Sequence, residues 1–552
     1  MAAKSGAERS FFGAAAIRVQ RAWGESPFYQ AKLRGPAPDR LLHAPVDPLT
    51  PDRALGQAVL NGAFSFGVAS VDSRGDLGGL WSAAPQSGRL YEFLQEFAWL
   101  RHVDALGAAA ESSSRALLAA WLDRYEKWAP DAWEPALTAE RLVNLCCNSA
   151  LILKNADALW RSRVLSSMAR QTRHLANVGH RAQSSWRRLT TASGLSLAGL
   201  CLPGCEEPAE RGLELLRREL RLQLRPDGGH ASRNPSLQLR LVIRLQMILK
   251  ALDGRRLPTP PFLKHAAVRA AATVQFFRSG DGRLAVFNGG GEDDGRAVVA
   301  ALQALDPGTP TGFARHIGFQ RLEAGRSLLI ADVGETGSQQ AFDGVSSFHF
   351  SSGRSRIIGN CGDGSLVSED WRKALLQAAA HSTVSTEVVG GVSPFPAALA
   401  ISHRRSEHAH GQLLEIERAF GDRDGPRHIR RLYLSPSGDN LRGEDAFIAL
   451  PTMLATGWRI RFHLHPTVKA SVARDGKSVI LALENYEGWR FRSNAPGLRL
   501  ERSVYCGEDG ALSATEQLVL GAFGLEAPVG GDIVVKWAVQ RLEAAGAGAA
   551  PE

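Results

Sequence analysis

The 552-residue chain is poor in cysteine and lysine and has no long apolar run. Its six cysteines are too scattered for a disulfide framework, and Cys201 and Cys205 lack the second pair that a zinc site needs. No run of 18 apolar residues occurs, so the sequence predicts no transmembrane helix. Hydrophobic residues make up 44% of the chain and charged residues 22%. This composition is typical of a globular protein and excludes collagenous, coiled-coil and largely disordered chains.

Several catalytic and nucleotide-binding motifs are also absent. The chain contains no GxGxxG after a predicted strand, no GxxxxGK[ST], no HExxH and no GxSxG followed by triad partners. The glycine-rich stretch 289–295 lacks the lysine of a phosphate-binding loop, which indicates a flexible turn. At the amino terminus, Arg18 interrupts a short apolar patch, so we do not expect this segment to act as a signal peptide.

Arginine carries almost all of the positive charge. The net charge is +9, and only ten of the 65 basic residues are lysine. A GC-rich genome that favours arginine codons explains this ratio. This is the favoured explanation of the overall ratio. The functional alternative is a polyanionic partner, because the planar guanidinium binds carboxylates, sulfates and phosphates through two parallel hydrogen bonds. Composition does not separate the two explanations.

The hydrophobic period changes along the chain from 3.6 to 2. Apolar residues recur at helical spacing in segments 89–106, 113–128, 139–154, 157–178, 187–201, 208–224, 235–252 and 262–278. Alternating patterns that predict strands follow at 347–360, 381–389, 412–420, 428–435, 458–466, 478–485, 489–494, 498–506 and 532–542. A run of helices followed by a run of strands predicts a helical domain and then an antiparallel β-sandwich.

These patterns give the predicted domain boundaries. Residues 1–85, rich in proline and glycine, are expected to form an irregular lead-in that packs on the helical domain. The helical domain is predicted over 86–280 and the β-sandwich over 281–545. Residues 546–552 are expected to be a disordered tail.

The stretch 158–205 contains seven arginines and no acidic residue. One interpretation is a solvated helix face in an arginine-rich protein. The other is an anion-binding groove in which tryptophan rings stack on sugars or bases and guanidinium groups bind their charges. On that interpretation the candidate ligand-binding residues are His180, Arg181, Trp186, Arg187 and Arg188.

A polar loop separates two of the predicted helices. Asp227, Gly228 and Gly229 form a turn that ends the first helix, and Asn234 with Pro235 begins the next. His230, Arg233 and Asn234 are crowded between them. Helix capping accounts for Asn234, whereas a loop that holds all three residues over a pocket makes them candidate catalytic residues.

Several histidines lie in predicted strands. His349 is expected to be a hydrogen-bonded core residue, and His381 is a stronger candidate for catalysis or metal binding. The pairs His408/His410 and His463/His465 have the spacing that puts two rings on one face of a strand, which can bind a metal. The sequence places no third ligand beside either pair.

Taken in order, several motifs resemble the heparinase II/III-like family. They are the helical run, the loop DGGHASRNP (227–235), the strand pair SFHFSSGRSRIIGNCG (347–362), HSTVSTE (381–387) and RFHLHP (461–466). The resemblance covers about residues 50–540. It implies an α/α toroid, an incomplete barrel of helix pairs, followed by an antiparallel β-sandwich. It also implies a polysaccharide lyase that acts on uronate polymers such as glycosaminoglycans, usually in the periplasm or cell envelope.

A lyase of this kind needs three groups. One must neutralise the uronate carboxylate, a base must remove the C5 proton, and an acid must protonate the departing glycosidic oxygen. In the family an asparagine or similar donor serves the first role, and tyrosine and histidine share the others. Here Leu237 stands at the position of the tyrosine and Gln339 at that of the histidine. The toroid asparagine corresponds to a position near Trp186 or Arg187.

The family's structural metal is also affected. Its carboxylate ligand is replaced by Asn360, although His381 matches the histidine of the HST motif. The resemblance therefore implies at most a structural divalent metal, zinc or calcium, near His381. The chain has only six tyrosines, and none lies between residues 126 and 432.

Two hypotheses follow. In the first, which we favour from sequence, the protein is a carbon–oxygen lyase with a non-standard catalytic set. Arg187 or Arg233 would neutralise the carboxylate, and His230, His180 or His381 would act as base. In the second, it is an acidic-glycan-binding or envelope-biogenesis protein that retains the scaffold without the chemistry. Both predict an acidic polysaccharide partner and no nucleic acid partner, while the missing signal peptide keeps a cytoplasmic location open.

Overall fold

The computed structural model describes residues 22–24, 26–73, 75–83, 88–182, 184–334, 342–386, 400–420, 425–449, 457–507, 510–521 and 532–543. The chain divides into two compact units. The first consists of residues 1–224 and 241–267, and the second of residues 225–240 and 268–552.

The predicted helical segments all contain α-helices. In chain order the α-helices are α1 (Pro27–Lys32), α2 (Arg53–Leu60), α3 (Leu77–Ala83), α4 (Arg89–Gln95), α5 (Leu100–Asp104), α6 (Glu111–Tyr125), α7 (Pro135–Cys147), α8 (Ser149–Leu153), α9 (Ala158–Val178), α10 (Ser185–Cys201), α11 (Glu206–Gln223), α12 (Pro235–Gly254), α13 (Pro261–Phe277), α14 (Gly295–Gln303) and α15 (Glu369–Leu375).

Local chemistry explains where the central helices begin and how they pack. Asp157 caps α9 by accepting a hydrogen bond from the backbone N–H of Trp160 at 2.8 Å. Helix α10 is buried throughout its last three turns and packs against α7 and α11. Glycines permit this close approach, since a Cβ on Gly199 would lie 2.6 Å from the backbone nitrogen of Ala209.

Residues 27–83 contain more regular structure than their composition indicates. Besides α1–α3 they form a two-stranded antiparallel sheet of β1 (Ala63–Phe66) and β2 (Ala69–Asp72). The segment packs on the helices of its own unit. The Tyr29 hydroxyl lies 2.6 Å from Nδ1 of the buried His174, and the Leu42 N–H donates to the Cys201 carbonyl at 2.8 Å.

The second unit contains two large sheets. Their strands are β3 (Phe313–Ala314), β4 (Phe319–Ala324), β5 (Ser327–Asp332), β6 (Phe348–Ser352), β7 (Ser355–Gly359), β8 (Val384–Thr386), β9 (Ala400–His408), β10 (Gly411–Ala419), β11 (Arg427–Leu434), β12 (Asn440–Ile448), β13 (Trp458–Leu464), β14 (Lys469–Val472), β15 (Ser478–Ala482), β16 (Gly488–Ser493), β17 (Gly497–Tyr505), β18 (Ser513–Gly521) and β19 (Ile533–Arg541).

All the strand pairs are antiparallel. One sheet has the order β14-β15-β16-β19-β12-β11-β10-β9, so that β14 and β9 are its outermost strands. The other has the order β17-β18-β13-β7-β6-β5-β4-β3, with β8 paired to β13. Strands β3, β4, β5 and β14 lie outside the predicted strand segments. Strands β9, β12 and β18 were not predicted from the sequence either. Their charged residues and glycine obscure the alternation, as in NLRGEDAFI of β12.

One hydrophobic core joins the two sheets. Ile416 and Leu432 from the first sheet and Leu329, Phe350 and Phe462 from the second belong to the same buried cluster. The predicted order, helices followed by an antiparallel β-sandwich, is therefore confirmed. No helix in the described ranges is both long and apolar enough to span a membrane.

Candidate functional site

The loop before α12 is shaped by Asp227. Its carboxylate accepts hydrogen bonds from the backbone N–H groups of His316 at 2.7 Å and Ile317 at 2.9 Å. Gly228 has φ +85°, and a Cβ at this position would lie 2.1 Å from the Arg269 carbonyl oxygen. The predicted turn therefore requires glycine both for its left-handed backbone and for the close approach of another chain segment.

We expect Gly228→Ala to lower the free energy of unfolding by about 2 kcal/mol, because it adds a steric clash to backbone strain. Gly282→Ala is the matched control, since Gly282 has φ +88° but no atom within 4 Å of the new Cβ. Urea unfolding of both variants measures the difference. Equal losses would show that strain alone determines the cost at Gly228.

His230 is buried in this loop and bonded to its neighbours. Its backbone N–H donates to Oε1 of Gln238 at 2.7 Å, and Nδ1 lies 2.7 Å from the Ser232 hydroxyl. Nδ1 also accepts from the Ser232 N–H at 3.1 Å, which assigns the ring proton to Nε2. Burial lowers the pKa of His230 to about 4. The ring is therefore neutral at pH 7 and a weaker base than a free imidazole.

Arg233 is bonded within the loop and strands of its own unit. It has φ +58° and is 8% exposed. The guanidinium pairs with the buried carboxylate of Asp332, donates to the Ile317 carbonyl at 2.6 Å and lies 4.6 Å from the ring centroid of Phe319. A substrate carboxylate would have to compete with Asp332 for this group. The catalytic role of Arg233 stays a prediction.

Asn234 caps α12. Its Oδ1 accepts from the Leu237 N–H at 3.0 Å, and its Nδ2 donates to the Asn288 carbonyl at 3.0 Å. The capping interpretation is confirmed. Leu237, which the resemblance predicts to stand at the position of the family's tyrosine, has no group that transfers a proton.

His381 is buried just before β8. Its ring packs edge-on against Phe342 at 6.2 Å, and its Nε2 has no hydrogen-bond partner among the described residues. Burial lowers the pKa of His381 to about 4. Gln339, the other candidate of this region, lies outside the described residues.

A second polar cluster, which the sequence did not reveal, is centred on Glu292. Its carboxylate accepts from the Tyr505 hydroxyl at 2.5 Å, from Nε2 of His465 at 2.9 Å and from Arg283 at 3.0 Å. Burial alone would raise the pKa of Glu292, but the hydrogen bonds from His465 and Tyr505 and the charge of Arg356 hold it well below its usual range. Glu292 is therefore ionised at neutral pH.

Arg356 links this cluster to His349. It binds both carboxylate oxygens of Asp281, at 2.7 and 3.1 Å. His349, whose Nε2 lies 2.8 Å from the Ser279 hydroxyl, has its pKa lowered to about 3 by burial. Both side chains line a cavity of about 10 Å³, the volume needed by a single water molecule. This confirms His349 as a hydrogen-bonded core residue.

The described residues do not fit a metal site. No group of three His, Cys, Asp or Glu side chains in the described ranges is arranged to hold an ion. Asn360 uses its side chain to accept from the Ser382 N–H at 3.0 Å and to donate to the Val286 carbonyl at 2.9 Å. His463 is also bonded through both ring nitrogens, to the Ser503 hydroxyl at 2.8 Å and the Ala379 carbonyl at 3.0 Å. Internal hydrogen bonds therefore engage the side chains of Asn360 and His463, and metal binding by His381 stays a prediction.

The arginine-rich stretch in the first unit is partly neutralised. Arg187 pairs with Glu92 at 2.6 Å and with Glu134 at 3.0 Å, and Arg188 pairs with Glu219 at 3.3 Å. The carboxylates come from α4, α11 and the residue before α7. Although residues 158–205 contain no acidic residue, the fold brings carboxylates of other segments next to Arg187 and Arg188. Both arginines remain about one-third exposed, so binding of an anion by them stays a prediction.

The other three candidates of the stretch are more accessible. His180 and Arg181 are exposed, and Nε of Arg181 lies 3.4 Å from Nε2 of His180. Trp186 is half-buried at the start of α10. Arg181 is consequently the candidate that an external anion reaches with least competition.

Comparison with known proteins shows two kinds of relative for this chain. Residues 306–537 match the family described as "Heparinase II/III-like, C-terminal". Over 533 residues the chain is 31% identical to "FtsZ-localized protein C" of Caulobacter vibrioides, and the alignment covers 92% of each chain.

Solved structures show the same fold at low sequence identity. The crystal structure of heparinase III matches with a TM-score of 0.71 at 14% identity, covering 97% of this chain and 91% of that one. A mutant of the heparan sulfate lyase HepC from Pedobacter heparinus matches with a TM-score of 0.60 at 13% identity, covering 94% and 88%. The predicted fold class, an α/α toroid followed by a β-sandwich, is confirmed.

Proposed function

Because this chain belongs to the heparinase II/III-like family, we propose that it is a family member without lyase activity that localises with FtsZ during cell division. The observation that carries the proposal is the similarity to FtsZ-localized protein C, which extends over nearly the whole of both chains. An alignment of that extent includes both units, so the common function need not belong to one domain alone.

The chemistry of the loop before α12 supports the proposal that this protein does not catalyse β-elimination. β-Elimination needs a cation or amide donor that is free to meet the uronate carboxylate, together with a base whose pKa is matched to the operating pH. Arg233 is engaged by Asp332, Asn234 caps a helix, and the pKa of His230 is lowered to about 4 by burial. Leu237 supplies no proton donor. Each group in this loop acts in holding the fold.

An acidic glycan remains a proposed ligand of the first unit. His180, Arg181 and Trp186 lie close together in the chain and supply a guanidinium charge and aromatic rings, the combination that binds a charged sugar. Arg187 and Arg188 would join them only by sharing their present carboxylate partners. This ligand would place the protein in envelope biogenesis, next to the polymers of the dividing cell.

Co-sedimentation with purified FtsZ polymers tests the proposal directly. We expect the full-length protein to pellet with FtsZ in the presence of GTP and to stay in the supernatant when FtsZ is unassembled. A fluorescent fusion produced in Caulobacter vibrioides should form a band at the division site. If neither association is seen with folded protein, the proposal is wrong.

Lyase activity is the second candidate, favoured by the retained polar loop with His230 and Arg233. Incubation with heparin, heparan sulfate, alginate and chondroitin sulfate should give no rise in ultraviolet absorbance, because no unsaturated uronate forms. The same assay with His230→Ala and Arg233→Ala identifies contaminating activity, which these substitutions would not change. A rise that both substitutions abolish, in variants that thermal unfolding shows to be folded, would establish the lyase and overturn the proposed loss of catalysis.

A further inference from the structure

The outer face of the sheet β14 to β9 contains a ligand-sized concavity, which we call the outer-face pocket. It has a volume of about 570 Å³, within the range of small-ligand sites. Residues of four neighbouring strands and of the turn after β16 line it. They include Arg431, Tyr433, Arg442, Glu444, Arg492, Asn494, Lys536 and Ala538.

The pocket exists because a small side chain lies in a row of large ones. On adjacent strands Tyr433 pairs with Arg442, Arg442 with Ala538, and Ala538 with Arg492. Residues paired in this way project from the same face of a sheet. Ala538 therefore forms the floor between two arginines, and the strands of Arg442 and Arg492 lie on either side of β19, each ~5 Å away.

The lining is strongly positive. It includes Arg431, Arg442, Arg492 and Lys536 but only one acidic residue, Glu444. Glu444 is already engaged, by Arg431 at 2.5 Å and by Lys536 at 3.7 Å. Arg442 lies against the ring of Tyr433 at 5.6 Å, and Arg492 donates to Gln540 at 3.1 Å. Neither Arg442 nor Arg492 has a carboxylate partner among the described residues.

The neutral polar groups of the pocket are occupied by the backbone. The Asn494 side chain accepts from the Lys536 N–H at 2.7 Å, and the Ser493 hydroxyl donates to the Lys536 carbonyl at 3.0 Å. A sugar ring presents many hydroxyl groups that need such partners. The pocket instead has guanidinium and ammonium groups around an apolar floor. This arrangement matches a ligand with an apolar side chain between two carboxylates.

We propose that the outer-face pocket binds an acidic peptide segment in which an apolar residue lies between two acidic residues. In an extended polyproline-II conformation successive side chains point about 120° apart. With the peptide running along β19, the apolar side chain enters over Ala538. The preceding and following carboxylates then reach Arg442 on one side and Arg492 on the other. The site belongs to the second unit and does not depend on the FtsZ association proposed above.

Fluorescence anisotropy with full-length protein and the labelled peptide Pro-Glu-Phe-Glu-Pro tests this site. Ala538→Phe covers the floor of the pocket and should weaken binding about tenfold or more. Val534→Phe is the matched control, since Val534 is 44% exposed on the same face of the same strand but does not line the pocket. It should change binding less than about twofold. Raising the salt concentration should weaken binding by wild type.

Arg492→Gln provides an independent variant that removes charge without adding volume, and thermal unfolding verifies that each variant is folded. We expect Arg492→Gln to weaken binding of the acidic peptide. The neutral peptide Pro-Gln-Phe-Gln-Pro should bind poorly to every variant, and Arg492→Gln should not change its binding. Equal binding of the two peptides, or equal loss in Ala538→Phe and Val534→Phe, would overturn the proposal. The proposal would also be overturned if the acidic peptide does not bind and a heparin oligosaccharide binds in a way that Ala538→Phe weakens. The pocket would then be a glycan site.

Discussion

Replacing Asp445 by alanine is expected to lower the free energy of unfolding by about 3–5 kcal/mol, the cost of breaking a buried ion pair. Asp445 is fully buried on β12 and accepts hydrogen bonds from Arg430 at 2.7 Å, His428 at 2.8 Å and the Trp537 indole at 2.9 Å. Burial alone would raise the pKa of Asp445, but Arg430 and His428 hold it well below its usual range. Without the carboxylate the Arg430 charge remains in the core with no counter-ion.

The same substitution on the surface provides the control. Asp439 forms an ion pair with Arg541 beside the same strand, and its side chain is 40% exposed. Asp439→Ala changes the net charge identically but should cost less than about 1 kcal/mol. Urea unfolding of both variants gives the difference in free energy. If Asp445→Ala is no less stable than Asp439→Ala, the buried network contributes nothing to stability.

Acidification below pH 6.5 is expected to destabilise the fold steeply. Six buried histidines have pKa values lowered by burial to about 3 or 4: His174, His230, His349, His381, His428 and His463. In the unfolded chain the same rings titrate near the ordinary value of about 6.5. Between pH 6.5 and about 4 the unfolded state therefore binds more protons than the folded state, and stability falls as the pH falls.

Each histidine of this kind contributes up to about 1.4 kcal/mol per pH unit within that window. Urea midpoints measured from pH 8 to pH 5 should be nearly constant above pH 7 and then decrease progressively. His381→Leu should make the decrease shallower by the contribution of about one proton, because it removes one titrating group. The substitution leaves no partner of Nε2 unpaired, since that nitrogen has none among the described residues. His180→Leu makes the same replacement at an exposed position and serves as the control for the substitution itself. A midpoint independent of pH between 7 and 5 would contradict this prediction.

Sequence periodicity succeeded where contacts are local. Helix α9 was predicted over 157–178 and is observed over Ala158–Val178, because its apolar spacing and its Asp157 cap lie within one segment. The turn at Gly228 and the cap at Asn234 were identified for the same reason, since the left-handed backbone of Gly228 and the hydrogen bond from Leu237 to Asn234 are local features.

The site residues that escaped prediction depend on contacts far apart in the chain. Glu292 meets His465 across 173 positions and Tyr505 across 213. Read locally, Glu292 lies in a glycine-rich stretch that resembles a flexible turn. In the same way, Arg187 lies in a stretch without acids, yet its partner Glu92 precedes it by 95 positions. Only the fold brings such charges together.

The outermost strands of the sheet β14 to β9 have a consequence for association between copies. An unpaired strand edge exposes a row of N–H and C=O groups that another chain could extend. Strand β9 places His403, Arg404 and Arg405 along that edge, and β14 is only four residues long and begins with Lys469. Like charges would face each other if two such edges met, and a short strand offers few hydrogen bonds. These features act against edge-to-edge polymerisation and domain-swapped aggregation as the chain accumulates in the cell.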